Sequence, residues 1–466
     1  MQYQKKTLFL RKLCRGDGME KWLIGRELLQ LELVSSIADS EKVEKRTGFT
    51  QNAKEITCNR CGANQLKDRA GAPCPCGTDC FYCIRCLQMG KVKKCSVLYH
   101  RPEENSFEAL EEPIMTWTGT LSPQQQQASV EIVNAVRIGE ERLIWAVAGA
   151  GKTEMLFQGI GEALKDKKRV CLASPRVDVC LELAPRLQQA FLQVEIAVLY
   201  GNMEKPYAYT QLVIATTHQL MRFREAFDVL IIDEIDAFPF HIDQTLQFAA
   251  QKARKNNGAL IYLSATPSKE MRKAIQLKQL PASILPARYH GFSLPVPKFI
   301  WAGDWRKEIT ETKKEGPFLK HLKGLVDKKR RFLIFIPHIA LMQQLAEYLH
   351  ELFPAQSFTS VYAEDPERKE KVIGMRQEQF DFLLTTTILE RGVTFKDIDV
   401  LVLGAEDKTF TEAALVQIAG RAGRHRDYPK GEVLFFHYGL SKEMKRARKQ
   451  IRQMNKWALE KGLIQK

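Results

Sequence analysis

From Leu121 onward, short apolar runs alternate with amphipathic stretches. Leu143-Ile144-Trp145-Ala146-Val147, Arg169 to Ala173, Leu212 to Ala215, Val229 to Ile232 and Leu260 to Leu263 are rich in β-branched and aliphatic residues. Runs that are apolar at consecutive positions predict parallel strands buried on both faces. A second series comprises Phe332 to Ile336, Phe382 to Thr385, Val400 to Leu403 and Val433 to Phe436. Ile339, Met342, Leu345, Leu349 and Leu352 lie between its first two members, at the spacing of a helix with one buried face. The pattern predicts two α/β sheets in series, joined near residues 285 to 315, where Pro286, Pro295 and Pro297 cluster. Before them, Trp22 to Leu29 reads as a short helix and the charged stretch Ser40 to Gln51 as a linker. Pro102 to Pro113 reads as a second linker, and Ser441 to Lys466 as a basic helix with nine Lys/Arg against two Glu.

The 466 residues exceed one ordinary domain, and 45% hydrophobic content suffices for separate cores. Lys and Arg number 70 against 55 Asp and Glu, a net charge of +15 and a pI near 9.2. That surplus suits a polyanionic partner. No apolar run approaches the about 18 residues of a membrane span. The N-terminal apolar run Thr7-Leu8-Phe9-Leu10 is too short for a signal-peptide core. The expected location is cytoplasmic, with attachment to a membrane only through a partner.

The chemistry concentrates at three places in order. Ala146 to Thr153 reads A-V-A-G-A-G-K-T after a strand. Gly149, Ala150 and Gly151 let the backbone wrap a phosphate, Lys152 would contact the β- and γ-phosphates, and Thr153 would hold Mg²⁺. Asp233-Glu234 ends the run Val229 to Ile232, where Asp233 would hold Mg²⁺ and Glu234 would polarise the attacking water. Gln417-x-x-Gly-Arg421-x-Gly-Arg424 supplies arginines for charge spreading on a transferring phosphoryl group; the two are expected on one face of a helix. Arg176, Thr217, His218, Thr386 and Arg391 follow predicted strands and are candidate contacts to a nucleic-acid backbone. Lys328-Lys329-Arg330-Arg331 and the tail are expected to act on phosphates by charge. Ser264-Ala265-Thr266 ends another strand and alone predicts a turn.

Eight of the eleven cysteines, Cys58, Cys61, Cys74, Cys76, Cys80, Cys83, Cys86 and Cys95, crowd into one segment. Cys58-x-x-Cys61 and Cys83-x-x-Cys86 provide four thiolates for tetrahedral zinc. The spacing leaves Cys74, Cys76, Cys80 and Cys95 as neighbours or a second site. Cys14, Cys171 and Cys180 fall outside the cluster, the last two in apolar contexts typical of core thiols.

These motifs resemble the superfamily-two helicases and translocases of the DEAD/DEAH type, from Leu121 to Gly439. The resemblance implies two tandem RecA-like lobes with ATP between them and single-stranded nucleic acid across both. It also implies adenine recognition by Gln125 in Trp117-x-Gly-x-Leu-Ser-Pro-x-Gln. The acidic motif reads Asp-Glu-Ile-Asp, which leans away from strict DEAD-box RNA helicases. The Cys₄ finger, Tyr82-Cys-x-x-Cys-Leu-x-Met89, A-G-A-G-K-T-E-M and Cys171 to Leu183 resemble the ComFA family of late-competence ATPases. Asp233 to Pro239 and Thr386 to Thr394 add to that likeness. It implies a cytosolic, DNA-stimulated ATPase, at the inner face of the membrane, that helps pull single-stranded transforming DNA through a channel. The implied partners are the channel protein, a phosphoribosyltransferase-like competence protein and a recombination mediator. The family pattern places zinc on Cys58, Cys61, Cys83 and Cys86.

The expected architecture is an N-terminal segment (1–57), a zinc finger (58–100), a first RecA-like lobe (113–287) and a second (288–466). The expected cofactors are ATP, Mg²⁺ and Zn²⁺. Two rival readings compete with this one. A replication-restart helicase carries its cysteines inside the core, whereas here they precede it. A zinc-dependent scaffold with a nucleotide switch has no need of Glu234, Arg421 and Arg424.

Overall fold

The computed structural model describes residues 21–33, 40–53, 55–71, 73–77, 79–201, 203, 206–311 and 316–464. The N-terminal apolar run and Cys14 lie outside them. Contacts divide the chain into two compact units, residues 1–144 with 153–283, and residues 145–152 with 284–466.

The N-terminal part is built from short strands: β1 (Glu27–Leu29), β2 (Glu44–Thr47), β3 (Phe49–Asn52), β4 (Glu55–Cys58), β5 (Arg69–Gly71), β6 (Phe81–Cys83) and β7 (Val97–His100). Strand β7 lies between β1 and β2 in an antiparallel sheet, and β3–β4 and β5–β6 pair separately. Two expectations are corrected here. Trp22 to Leu29 is a turn leading into β1, not a helix, because Leu23 and Leu28 pack with Leu33 and Tyr99 in a small sheet core. The charged stretch after Ser40 contains β2 and β3 rather than a linker. Most of its polar side chains face outward, Arg46 excepted, while its backbone pairs with β7 and β4. Residues 102–121 carry no regular element. They are nonetheless anchored, since Glu103 and Arg169 form a fully buried ion pair at 2.7 Å.

Seven strands follow: β8 (Glu141–Ala146), β9 (Val170–Ser174), β10 (Ile196–Leu199), β11 (Leu212–Thr216), β12 (Phe227–Ile232), β13 (Arg254–Ser264) and β14 (Ala282–Leu285). They form one sheet in the order β10-β11-β9-β12-β13-β8-β14, with β10, β11, β9, β12 and β13 parallel. The central strands β9, β11 and β12 are almost wholly buried, as their unbroken apolar sequences require.

The second sheet contains β15 (Lys298–Trp301), β16 (Arg331–Phe335), β17 (Phe358–Val361), β18 (Phe382–Thr385), β19 (Ile398–Leu403) and β20 (Val433–His437). Its order is β15-β20-β19-β16-β18-β17, parallel throughout. Its core packs Trp305, Phe318, Leu345 and Leu349 against Phe332, Phe382 and Phe436. The amphipathic pattern after β16 is the helix Ile339–Leu352, and the basic tail is the helix Lys442–Glu460. The stretch expected only to join the sheets contributes β15 and the helix Trp305–Thr310. Of the basic run Lys328 to Arg331, which leads into β16, Arg330 pairs with Asp397 and Asp399, and Arg331 with Glu378. Those two arginines therefore serve the fold. Among the described residues, no helix is long and apolar enough to cross a membrane.

Candidate functional site

Strand β8 runs directly into the phosphate loop. Gly149 and Gly151 adopt φ of +84° and +73°, backbone that side-chain-bearing residues rarely take, and the Ala150 amide donates to the Val147 carbonyl at 3.1 Å. Thr153 is buried, and the chain continues through a 3₁₀ turn, Glu154–Leu156, into the helix Phe157–Lys165. The unit containing residues 145–152 also holds Arg288. The Tyr289 amide donates to the Gly149 carbonyl at 3.1 Å.

Strand β12 delivers the acidic turn. Asp233 and Glu234 are 8% and 9% exposed, and the Asp233 amide donates to Ala173 on β9 at 2.8 Å. Asp233 Oδ1 accepts the Glu234 amide at 2.8 Å, and Glu234 sits at φ +54°. A left-handed glutamate costs about 1–3 kcal/mol and persists where surrounding structure fixes it. Thr153 and Asp233 offer a hydroxyl and a carboxylate, the hard oxygen donors that Mg²⁺ takes. Asp236 accepts from Ser264 Oγ at 2.8 Å and from Thr266 Oγ1 at 2.6 Å. The Ser-Ala-Thr turn is thus bonded to the acidic turn, a link that neither tripeptide discloses alone.

In the second unit, Gln417 lies buried in the helix Glu412–Ala419. Arg421 and Arg424 do not share a helix face, which corrects the expectation. The helix stops at Ala419, Gly420 caps it, and Gly423 turns at φ +64°. Arg421 Nε donates to the Glu390 carbonyl at 3.0 Å, and Arg424 Nε to Gly420 at 2.8 Å. Arg288, 1% exposed, donates to the carbonyls of Gly420 at 3.2 Å, Ala422 at 2.8 Å and Gly423. Burial and neighbouring Arg424 lower its pKa to about 9, which still leaves it charged at neutral pH. Sequence reasoning missed Arg288 because it sits in the proline-containing stretch between the sheets, with no motif around it.

The candidate nucleic-acid residues also follow strands. Arg176 caps the helix Val177–Ala190 after β9, and Thr217 and His218 open a 3₁₀ segment after β11. Thr217 is buried, and burial lowers the His218 pKa. Thr386 caps the turn after β18, and buried Arg391 pairs with Glu390 at 3.2 Å. Gln125 is buried in the helix Pro123–Ile138, where its Oε1 accepts the Ser122 amide at 2.8 Å in a capping box.

Cys58 and Cys61 flank a turn closed by the Gly62 amide on the Cys58 carbonyl at 2.8 Å, and Gly62 sits at φ +74°. Cys83 and Cys86 flank the turn that leaves β6. All four thiols are buried, and their sulfurs lie within 4.8 Å of one another, with Cys58–Cys86 at 3.8 Å and Cys61–Cys83 at 3.5 Å. A tetrahedron with Zn–S bonds of about 2.3 Å has S···S edges of about 3.8 Å, so the residues fit the ion.

Arg60, between the first two cysteines, is fully buried and pairs with Glu32 at 3.1 Å. Glu32 also pairs with Arg222, which follows β11, at 3.1 Å. Glu27 pairs with Arg46 at 2.6 Å and with Lys252, from the helix Gln244–Ala253, at 2.7 Å. Burial would raise both glutamates, yet Lys252 and Arg46 hold Glu27 below the usual range, as Arg60 and Arg222 hold Glu32. A Cβ on Gly62 would meet the Phe248 ring at 2.5 Å, so the knuckle lies flush on that helix. The finger is docked on the first sheet's unit by buried charge and close backbone packing.

Two RecA-like lobes bearing these motifs define a helicase-type ATPase. Models of the DEAD/DEAH box helicase and the helicase conserved C-terminal domain match residues 122–274 and 317–426. The DEAD-box helicase Mss116 bound to ssRNA and UDP-BeF superposes with a TM-score of 0.54 at 15% identity. That match covers 74% of this chain and 83% of the other, and concerns the fold. The competence protein ComFA N-terminal domain model matches residues 12–100. Competence protein ComFA of Bacillus subtilis (strain 168) is 44% identical over 98% of this chain and 94% of its own length. That of Streptococcus pneumoniae is 39% identical over 93% and 98%. The chain belongs to the ComFA family, and is a helicase-like competence ATPase acting with ATP and Mg²⁺.

Proposed function

We propose that this protein couples ATP hydrolysis to movement along single-stranded DNA, driving transforming DNA inward across the cell membrane during competence. The supporting observation is the buried acidic turn after β12. Glu234 is held in a strained backbone beside Asp233, an arrangement suited to hydrolysis rather than to nucleotide binding alone.

The roles follow from chemistry. Gly149, Ala150 and Gly151 wrap the phosphates, Lys152 neutralises them, and Thr153 and Asp233 hold Mg²⁺, which polarises the phosphoryl oxygens when bound. Glu234 orients water and accepts its proton, while Gln417, Arg421 and Arg424 respond to charge on the γ-phosphate. Gln125 recognises adenine. Arg176, Thr217, His218, Thr386 and Arg391 belong to the loops that follow DNA phosphates. Cys58, Cys61, Cys83 and Cys86 hold a structural zinc whose closed Cys₄ shell offers no position for chemistry. The partners are single-stranded DNA, the membrane channel, a phosphoribosyltransferase-like protein and a recombination mediator. The protein works in the cytoplasm, against the inner membrane face through those partners. The domains are those set out from sequence: 1–57, 58–100, 113–287 and 288–466.

The test is ATP turnover measured without nucleic acid and with single-stranded DNA, duplex DNA or RNA. Single-stranded DNA should stimulate most. Lys152→Ala should lose nucleotide binding, and Glu234→Gln should bind ATP without turning it over. Equal turnover in all four conditions, or normal hydrolysis by Glu234→Gln, contradicts the proposal.

A further inference from the structure

We infer that Cys74, Cys76, Cys80 and Cys95 form a second Cys₄ metal site, for zinc, separate from that of Cys58, Cys61, Cys83 and Cys86. The four sulfurs lie within 4.8 Å of one another. Cys74–Cys95 is 3.7 Å and Cys80–Cys95 is 3.8 Å. These are edges of a tetrahedron around one zinc ion, about 3.8 Å for Zn–S bonds of about 2.3 Å. A disulfide needs about 2.05 Å, and all four cysteines are unbonded. An iron–sulfur cluster spreads its thiolates around a cage of several ions rather than one centre.

Three separate backbone devices bring the thiols together. Cys74 and Cys76 share a tight turn with Pro75, closed by the Gly77 amide on the Cys74 carbonyl at 3.1 Å. Gly77 has φ +136°, which only glycine adopts readily. Cys80 immediately precedes β6. Cys95 rides on the turn Lys93–Ser96, closed by Ser96 N to Lys93 O at 3.0 Å and by Lys93 N to Ser96 Oγ at 2.9 Å. The Lys94 amide then ties that turn to Phe81 on β6 at 2.8 Å. Strand β6 thus has a ligand of this group just before its start, ends on Cys83 of the other group, and is followed by Cys86. Neither loop buries apolar residues enough to order itself, and a metal ion supplies that order.

Charge agrees. Four thiolates around a divalent ion leave a net double negative charge. Lys93 Nζ stands 3.7 Å from Cys74 Sγ, and Lys91 and Lys94 flank Tyr82 and Phe81. Exposure separates the two sites: Cys76 and Cys95 are exposed, whereas all thiols of the other group are buried. The second zinc therefore exchanges faster.

The test is zinc content of the full-length protein, purified under reducing conditions with zinc present, followed by release into excess EDTA. Two equivalents are expected, one per cysteine group, leaving in two phases. Cys74→Ser with Cys95→Ser should abolish the fast phase alone; Cys76→Ser, a milder change, should accelerate it. Cys58→Ser with Cys86→Ser should abolish the slow phase. A single equivalent in the unaltered protein that survives Cys74→Ser/Cys95→Ser overturns the inference. So does recovery of these four residues as disulfides, or no zinc at all. A single equivalent lost only in Cys74→Ser/Cys95→Ser upholds this site and removes the other, so the two assignments fail separately.

Discussion

Arg288→Ala should disrupt the arginine loop of the second unit without touching either arginine in it. The guanidinium is 1% exposed and donates to Gly420, Ala422 and Gly423, carbonyls left without helical partners where the helix stops at Ala419. Truncation strands buried acceptors, each costing about 1–3 kcal/mol. Some will relax toward water, so the net loss should be about 3–4 kcal/mol, the range of a broken buried network. For a compact unit of this size that lowers its melting temperature by roughly 10 °C. Hydrogen exchange should localise the damage, with amides of residues 417–424 losing protection while those of β9, β11 and β12 keep theirs. Arg288→Lys should recover only part, since an ammonium is a compact charge and cannot reproduce the planar fork. ATP turnover should fall in Arg288→Ala even at temperatures where the protein remains folded. Unchanged exchange at residues 417–424, with melting shifted by less than about 1 °C, would refute the assignment of Arg288 as the prop of this loop.

Asp236→Asn should leave ATP binding intact and lower kcat by roughly tenfold, about 1.4 kcal/mol, because Ser264 and Thr266 lose a charged acceptor. Binding and turnover measured together decide it, and an unchanged kcat counts against any role for that link. Glu32 and Glu27 have folded-state pKa values below their ordinary ones. Their stabilisation is therefore present above the ordinary glutamate pKa, about 4.3, and is lost as pH falls through the lowered folded value. Exchange in residues 27–33, corrected for the intrinsic amide rate at each pH, should rise as pH falls below about 4.3. Glu32→Gln should raise it already at neutral pH, since Arg60 and Arg222 lose their counter-charge; acid-insensitive protection in that segment would show that these pairs do not dock the finger.

Much of the fold was legible because the central strands of both sheets are apolar at nearly every position. Such runs have few alternatives once flanked by Gly, Pro and amphipathic stretches. The helix Ile339–Leu352 was readable from its spacing for the same reason. What failed was local pattern without enough length. Trp22 to Leu29 has helix-forming residues, but a small antiparallel sheet claims its backbone. The charged β2 and β3 are edge-like strands whose pairing comes from distant residues, so composition marks them as solvent-exposed and says nothing of their partners. The helix expected through Arg421 and Arg424 ends early, with Gly420 as its cap and Gly423 turning the chain at φ +64° beyond it. The candidate ligand residues stand out by spacing. The residues that position them, Arg288, Glu32 and Asp236, act through tertiary contacts to carbonyls and side chains far away in the chain. No window of sequence contains both ends of such a contact.

The placement of Arg60 bears on what the finger is for. It lies inside the Cys58–Cys61 turn, so a zinc ion fixing that turn also fixes the guanidinium that meets Glu32. Glu32 in turn holds Arg222, at the end of the segment Thr217–Arg222, which contains Thr217 and His218 among the candidate DNA contacts. A finger hung on a flexible tether would have no reason to join Arg60, Glu32 and Arg222 in this way, because buried pairs gain little net stability over apolar packing. What such pairs do supply is a defined geometry. Losing a metal bound there should therefore be felt in the loop after β11, through Arg60 and Glu32. DNA binding should be more sensitive than basal ATP turnover to removal of the proposed zinc ligands Cys58 and Cys86. A protein stripped of that zinc that bound single-stranded DNA as tightly as before, with the 217–222 amides equally protected, would show that the finger's buried charges serve docking alone.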